Sequence, residues 1–256
     1  MTTAWSAAQY LKFAGERTRP ALDLLNRVPL DAPGKVMDLG CGPGNSTALL
    51  VERFGNAHIT GLDSDADMIA TARKALPDCH FQLETIEEWQ PDQPVDLIYA
   101  NASLQWIPDH TTLMPRLVSL LAPGGVLAVQ MPDNLDEPPH QRLAELGRDP
   151  RWSDKLETAR GARHTPLSPA QMHALLRPLC TGVDIWRTTY YHEMADINGV
   201  VEWFKGAALR PYLAALSAEE QTEFLDEYRR ALAPSYPDLG AGVLLPFPRM
   251  FLIARR

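Results

Sequence analysis

The residues best placed to do chemistry lie in one run of seven, Asp38-Leu39-Gly40-Cys41-Gly42-Pro43-Gly44. A short apolar stretch precedes it and a helix-like stretch follows. Glycine lets the backbone turn sharply and lets a ligand touch the main chain where a Cβ would clash. A helix that opens there offers its free N–H groups. Taken alone, the pattern is also that of an ordinary strand-to-helix turn, and two features narrow it. The dinucleotide fingerprint Gly-x-Gly-x-x-Gly requires a third glycine at position 45, where this chain has Asn45. A nicotinamide cofactor is therefore the weakest reading. Asp63 then ends the next apolar stretch, about 20 residues on, where a carboxylate can accept hydrogen bonds from both hydroxyls of a ribose. Asp63 could instead cap the following helix, a task equally open to Ser64 and Asp65.

These groups need a frame, and the chain supplies alternating elements. Segments 36–39, 58–62, 80–83, 95–100 and 126–130 read as short strands. Helical spacing fills 46–54, 66–76 and 113–121, and Pro123-Gly124-Gly125 turns into the fifth strand. Such alternation implies right-handed crossovers and a parallel sheet. Strands at 183–192 and 250–254 raise the count to seven. The expected fold is α/β, a doubly wound, mostly parallel seven-stranded sheet. Before it, residues 7–27 have helical spacing that Pro20 should break or restart. After Met131, Pro132, Pro138, Pro139 and Pro150 sit among charged residues and predict short helices in a loop-rich region, with further helices at 200–204 and 218–231. We expect one domain over 1–256, with a ligand-binding core at about 33–131. The elements at about 1–28, 133–180 and 193–242 are expected to form a lid and substrate-binding pieces.

Composition excludes several classes. At 256 residues, with 45% hydrophobic and 22% charged residues, the chain has the make-up of an ordinary globular protein. Its 24 Lys and Arg against 32 Asp and Glu give −8, which argues against a nucleic-acid clamp. Cys41, Cys79 and Cys180 are odd in number and widely spaced, so neither a disulfide framework nor a zinc site is expected. The histidines lack metal-ligand spacing. No apolar run approaches the roughly 20 residues that span a bilayer, and Met1 to Ser6 lack a signal-peptide start. The expectation is a cytoplasmic protein with no membrane or metal and no obligate protein partner.

Asp38 followed by Gly-x-Gly-x-Gly resembles the S-adenosylmethionine loop of the class I methyltransferases. Segments 38–49, 100–106, 129–134 and 184–192 narrow the likeness to the trans-aconitate 2-methyltransferase family. The opening Trp5, Tyr10-Leu11, Phe13, Glu16-Arg17 and Arg19-Pro20 look similar as well. The likeness runs from Trp5 to Arg256 and is weakest between about 135 and 168. It implies a Rossmann-like domain whose N-terminal segment and late insertions form a helical lid. By the same resemblance, Asp38 belongs to the cofactor site, Gly40, Cys41 and Gly42 lie against the methionine part of the cofactor, and Asp63 holds the ribose. Thr85 and Ile86 flank the adenine, and Asn101 meets the amino-acid moiety. Relatives commonly carry an acidic residue where this chain has Thr85, which leaves the reading of the adenine amine to Thr85 or to main chain. The expected product is S-adenosylhomocysteine.

A carboxylate acceptor is ionised at neutral pH, so its methylation requires no general base, and no catalytic acid or base is assigned. The enzyme has to align the reacting groups and exclude water. A tricarboxylate substrate also needs donors for the carboxylates that do not react, and arginine suits them best. The candidates are Arg17, Gln105, Trp106, Tyr190, Tyr191, His192 and Arg210. Tyr190 and Tyr191 must point to opposite faces of a strand, so at least one packs elsewhere. Surface ion pairing for Arg210 and core packing for Trp106 remain open. His164 is a weaker candidate, and Arg187 reads as structural. Two other readings stand: a methyltransferase for another small acid, phenol or amine, which for the last two would call for a base, and a non-catalytic S-adenosylmethionine-binding module.

Overall fold

A computed structural model describes residues 14–160, 165–206, 208–238 and 240–256, with side chains from residue 18 onward. In chain order the elements are α1 (Ala14–Asn26), β1 (Lys35–Leu39), α2 (Asn45–Arg53), β2 (His58–Asp63), α3 (Ala66–Ala75), β3 (His80–Leu83) and β4 (Val95–Asn101). Then come α4 (His110–Ser119), β5 (Leu121–Pro132), α5 (Pro138–Leu146), α6 (Glu157–Arg160), α7 (Pro169–Leu176) and β6 (Gly182–Met194). The chain closes with α8 (Ile197–Lys205), α9 (Arg210–Ala214), α10 (Ala218–Leu232) and β7 (Val243–Arg255).

One seven-stranded sheet has the order β3-β2-β1-β4-β5-β7-β6. The first five strands in that order pair in parallel. Gly124 N–H donates to the Arg256 carbonyl at 3.1 Å, and Arg256 N–H to Gly125 at 2.9 Å, so the end of β7 meets the start of β5 and β7 runs against it. Thr181, beside the start of β6, donates to Arg255 at 2.8 Å, which returns β6 to the direction of the first five. This is the mostly parallel, doubly wound α/β fold that the alternation implied.

The chain divides into two compact units. The sheet unit comprises Ala14–Pro132, Pro166–Thr188 and Met250–Arg256, and the second comprises the described residues of Asp133–Thr165 and Thr189–Arg249. In the sheet unit, Leu39, Leu62, Ile98, Leu127 and Val129 are buried. Parallel strands covered on both faces become nearly continuous apolar runs, which is why these strands were readable. The second unit has its own core around α10, where Trp152 meets Phe224 edge-on at 5.6 Å and Tyr228 donates to the Pro139 carbonyl at 3.0 Å.

Several boundaries differ from the sequence expectation. Pro20 lies inside α1 and does not end it. Burial of Ala21, Leu24 and Leu25 offsets the backbone bond that proline removes. Residues 14–28 and 166–180 belong to the sheet unit, although the sequence reading put them among the lid elements. Residues 7–13 of the expected first helix lie outside the described residues. β7 starts at Val243, seven residues before the predicted strand, because Pro246 and Pro248 disguise its first half. No helix of the described residues is long and apolar enough to cross a membrane.

The hydroxyl of Tyr99, a fully buried residue of β4, donates to the Ala21 carbonyl of α1 at 2.5 Å. Removing it with Tyr99→Phe deletes this buried bond and should cost about 0.5–1.5 kcal/mol. Urea unfolding would register the loss as a lower midpoint with an unchanged slope.

Candidate active site

The end of β1 is built for close approach. Gly40, Gly42 and Gly44 hold φ of +71°, +56° and +97°, a region that side chains rarely enter. A Cβ on Gly40 would stand 2.3 Å from the Cβ of Ser103, whereas a Cβ on Gly42 would meet nothing within 4 Å. Gly42 thus presents bare main chain to open space. The N–H groups of Gly40 and Cys41 both donate to the Leu62 carbonyl, at 2.7 and 2.9 Å. Cys41 is buried against Gly61, and burial pushes its thiol far above the usual range. It fills space under the turn and is chemically quiet.

Asp63 ties that turn to β2. One carboxylate oxygen accepts from Gly42 N–H at 2.9 Å, the other from Asp65 N–H at 2.9 Å. The capping role left open by the sequence falls to Asp65, which accepts from Asp67 and Met68 N–H at 2.9 and 3.1 Å. Burial holds the Asp63 carboxyl above its ordinary pKa, against the pull of the backbone donors.

Asp38 is fully buried. One oxygen accepts from Ser46 and Thr47 hydroxyls, both at 2.7 Å, and the other has no partner. Burial outweighs the two hydroxyls and, with the Asp63 charge nearby, lifts its pKa from 3.8 to about 6. Two more buried acceptors lack partners, the side-chain oxygens of Asn101 and Gln105. Both follow from β4, whose Asn101 pairs with Gln130 of β5. Between them Ala102 holds a left-handed φ of +54°, a costly conformation for alanine. Its N–H donates to Gln130 at 2.9 Å, and its carbonyl accepts the Gln105 amide at 2.7 Å. Ser103 completes the loop by donating to Leu39 at 2.7 Å. Orphaned buried acceptors beside glycine main chain suit a cationic ligand without phosphates. A sulfonium amino acid carrying a ribose fits that description.

Thr85 is engaged locally, donating to the Glu88 carboxylate at 3.0 Å and accepting Glu88 N–H at 3.3 Å, and Ile86 packs in the core. Trp106, 37% exposed, follows the Ala102 loop. In the second unit, strand alternation brings Tyr190 and His192 inward, their rings stacked at 6.4 Å, and leaves Tyr191 64% exposed on the other face. His192 lies on Trp203 at 4.5 Å. Arg210 opens α9 and is half-buried. The Arg17 side chain and His164 lie outside the described residues. The reading of the sequence missed Ser46, Thr47 and Ser103. The first two had a signal, hydroxyls in the helix turn directly after the glycines; Ser103 had none.

A family model described as a methyltransferase domain matches residues 13–177. The chain is 54% identical to a trans-aconitate 2-methyltransferase of Methylobacterium nodulans over 253 residues, 98% of each chain. It is 50% identical to the enzyme of that name from Escherichia coli O157:H7, again over 98% of both. Among solved structures, the YcgJ protein of Bacillus subtilis shares the fold at TM-score 0.61 and 13% identity, over 93% of this chain and 98% of that one. A Haemonchus contortus phosphoethanolamine N-methyltransferase solved with S-adenosyl-L-methionine gives 0.54 at 15% identity, over 92% and 52%.

The folded state holds the Asp38 proton more tightly than the unfolded chain does. Its stabilising contribution is therefore complete below about pH 3.8 and is lost as pH rises through about 6. A cationic ligand prefers the ionised form. Calorimetric titration with S-adenosylmethionine should accordingly show affinity strengthening as pH rises through about 6, then levelling. Asp38→Asn should bind weakly and lose that dependence, and an unchanged profile in the variant would assign the titration elsewhere.

Proposed function

The chain belongs to the trans-aconitate 2-methyltransferase family, and on that premise we propose how its own residues carry the family's reaction. It is an S-adenosylmethionine-dependent enzyme that forms a methyl ester of trans-aconitate. The observation that carries this is 54% identity to a relative of that name across 98% of both chains. S-adenosylmethionine supplies a methyl group made electrophilic by a sulfonium.

The sheet unit binds the cofactor. Gly40, Cys41 and Gly42 receive its methionine part, supported by the bare main chain at Gly42. Asp38 and Asn101 offer their orphaned oxygens to cationic or N–H groups of the ligand. Asp63, already fixed by Gly42 and Asp65, keeps further lone pairs for the ribose hydroxyls. Main chain near Thr85 and Ile86 reads the adenine, since the Thr85 hydroxyl is engaged with Glu88.

The acceptor needs little proton chemistry from the chain. A carboxylate is ionised at neutral pH, so no side chain has to remove a proton. The remaining work is to align the acceptor and keep water away. Gln105, Trp106, Tyr190, His192, Arg210 and Arg17 are assigned to it. Tyr191 is left out of the assignment, because alternation sends it to the outer face.

Two measurements test this. Methyl transfer from labelled cofactor, with trans-aconitate, cis-aconitate and citrate as parallel acceptors, should give a base-labile monomethyl ester, chiefly from the trans acid. Cofactor binding with no acid methylated would overturn the acceptor assignment and leave the cofactor site standing. Asp63→Ala should weaken cofactor binding about 10- to 150-fold, the scale of lost hydrogen bonds to a charged group. Wild-type affinity in that variant would defeat the ribose assignment.

A further inference from the structure

Gln105 is only 5% exposed, and its own loop fixes which way its amide points. Nε2 donates to the Ala102 carbonyl at 2.7 Å, and the opposite orientation would set oxygen against oxygen. The side-chain oxygen is thereby identified, and it is buried without a partner. The loop has spent its nearby donors elsewhere. Ala102 N–H goes to Gln130 at 2.9 Å, Trp106 N–H to Ser103 at 3.3 Å and Ile107 N–H to Leu104 at 3.0 Å. Nε2 of the buried His110 also donates to Leu104, at 2.8 Å. A buried acceptor with no donor is costly, and this one sits in a loop that already holds Ala102 at φ +54°.

The same loop is pinned to the glycine turn. Ser103 Oγ donates to Leu39 at 2.7 Å, and Ser103 Cβ stands 2.3 Å from the place a Gly40 Cβ would take. Asn101, whose side-chain oxygen is also buried without a partner, opens the loop, and Gln105 lies two residues past Ser103. All of these residues belong to the sheet unit. An ionised carboxylate only accepts hydrogen bonds, so the Gln105 oxygen cannot hold a carboxylate of the acceptor and would repel one. A cation or an N–H group satisfies it. Only the second hydrogen on Nε2 is left for a carboxylate.

We propose that the Gln105 oxygen faces the positive charge of S-adenosylmethionine, its sulfonium or its ammonium, and with Asn101 selects the charged form of the ligand. Alignment by Gln105 then acts from the cofactor side. This rests on placing the cofactor at the ends of β1 and β4.

Calorimetric binding, with no acceptor present, tests it on the full-length wild type, Gln105→Met and Gln105→Glu. The buffer is set at about pH 8, where a carboxyl beside a cation is ionised. Three ligands are compared: S-adenosylmethionine, S-adenosylhomocysteine, and the latter with its α-amino group replaced by hydrogen. The first pair differs in the sulfonium charge and the second pair in the ammonium. Gln105→Met keeps the length and removes the oxygen, so one of the two preferences for charge should fall about 10-fold. The pair affected names the charge. Gln105→Glu keeps an acceptor but gives up the bond to Ala102, and it should raise that same preference above the wild type. A residue that merely props the loop would weaken all three ligands alike in both variants. That result overturns the proposal, as do wild-type preferences in Gln105→Met. If Gln105→Met does not fold, Gln105→Glu decides, and preferences at or below the wild type overturn the proposal. Asp63→Ala separates the two readings. Wild-type affinities in both Asp63→Ala and Gln105→Met overturn the cofactor placement together with this contact, whereas weakened binding in Asp63→Ala beside an unaltered Gln105→Met overturns the contact alone.

Discussion

The carboxylate of Asp63 accepts Gly42 N–H with one oxygen and Asp65 N–H with the other, both at 2.9 Å, and the mouth of the sheet is arranged around that pair of bonds. Gly40 and Cys41 add two more, both to Leu62. Together they clamp the end of β1 to the end of β2 and force the glycines into left-handed conformations that leave main chain uncovered. With Asp65 starting α3, Asp63 is relieved of capping. One acidic residue at a strand end thereby shapes the loop that its remaining lone pairs face.

Asp38 shows a different bargain. Raising a carboxyl from 3.8 to about 6 corresponds to about 3 kcal/mol against the ionised form, a large fraction of a domain's net stability. Ser46 and Thr47 satisfy one oxygen and leave the other bare. Local rules of foldability are broken where function asks for it. The left-handed Ala102 beside the unpartnered Asn101 and Gln105 oxygens repeats the pattern on β4. Strain and orphaned acceptors fall at the ends of adjacent strands.

Period and punctuation made the sheet unit legible. Its strands are apolar runs bounded by Gly, Pro and Asp, and Asp38, the glycines and Asp63 fall where those runs end. The second unit was less legible for physical reasons. Pro246 and Pro248 mask the first half of β7, so Arg249 fell outside the expected strand. Burial of a charge leaves no trace in periodicity, since it depends on Phe247 and Trp203, the latter more than forty positions away in sequence. Tyr190 and Tyr191 illustrate the opposite case. Alternation stated that they part, and only the packing of His192 on Trp203 decided which turned inward. Pro20 was misread because helix propensity is local, while burial of Leu24 and Leu25 is not.

Asn45 in place of a third glycine follows from the same logic. In a dinucleotide fold that glycine permits close packing of helix on strand. Here a glycine falls one residue earlier for a different reason: Gly44 is the left-handed N-cap of α2, at φ +97°, a conformation that side chains rarely adopt. Position 45 is then free to carry a half-buried side chain. A pyrophosphate would draw on the N–H groups of the helix start, but a ligand without phosphates makes no such demand. A cationic centre calls for acceptors instead, and Asp38 and Asn101 each keep a buried oxygen without a partner. On the proposed binding mode, one change in ligand charge accounts for both the departure from the nucleotide fingerprint and the surplus of buried oxygens.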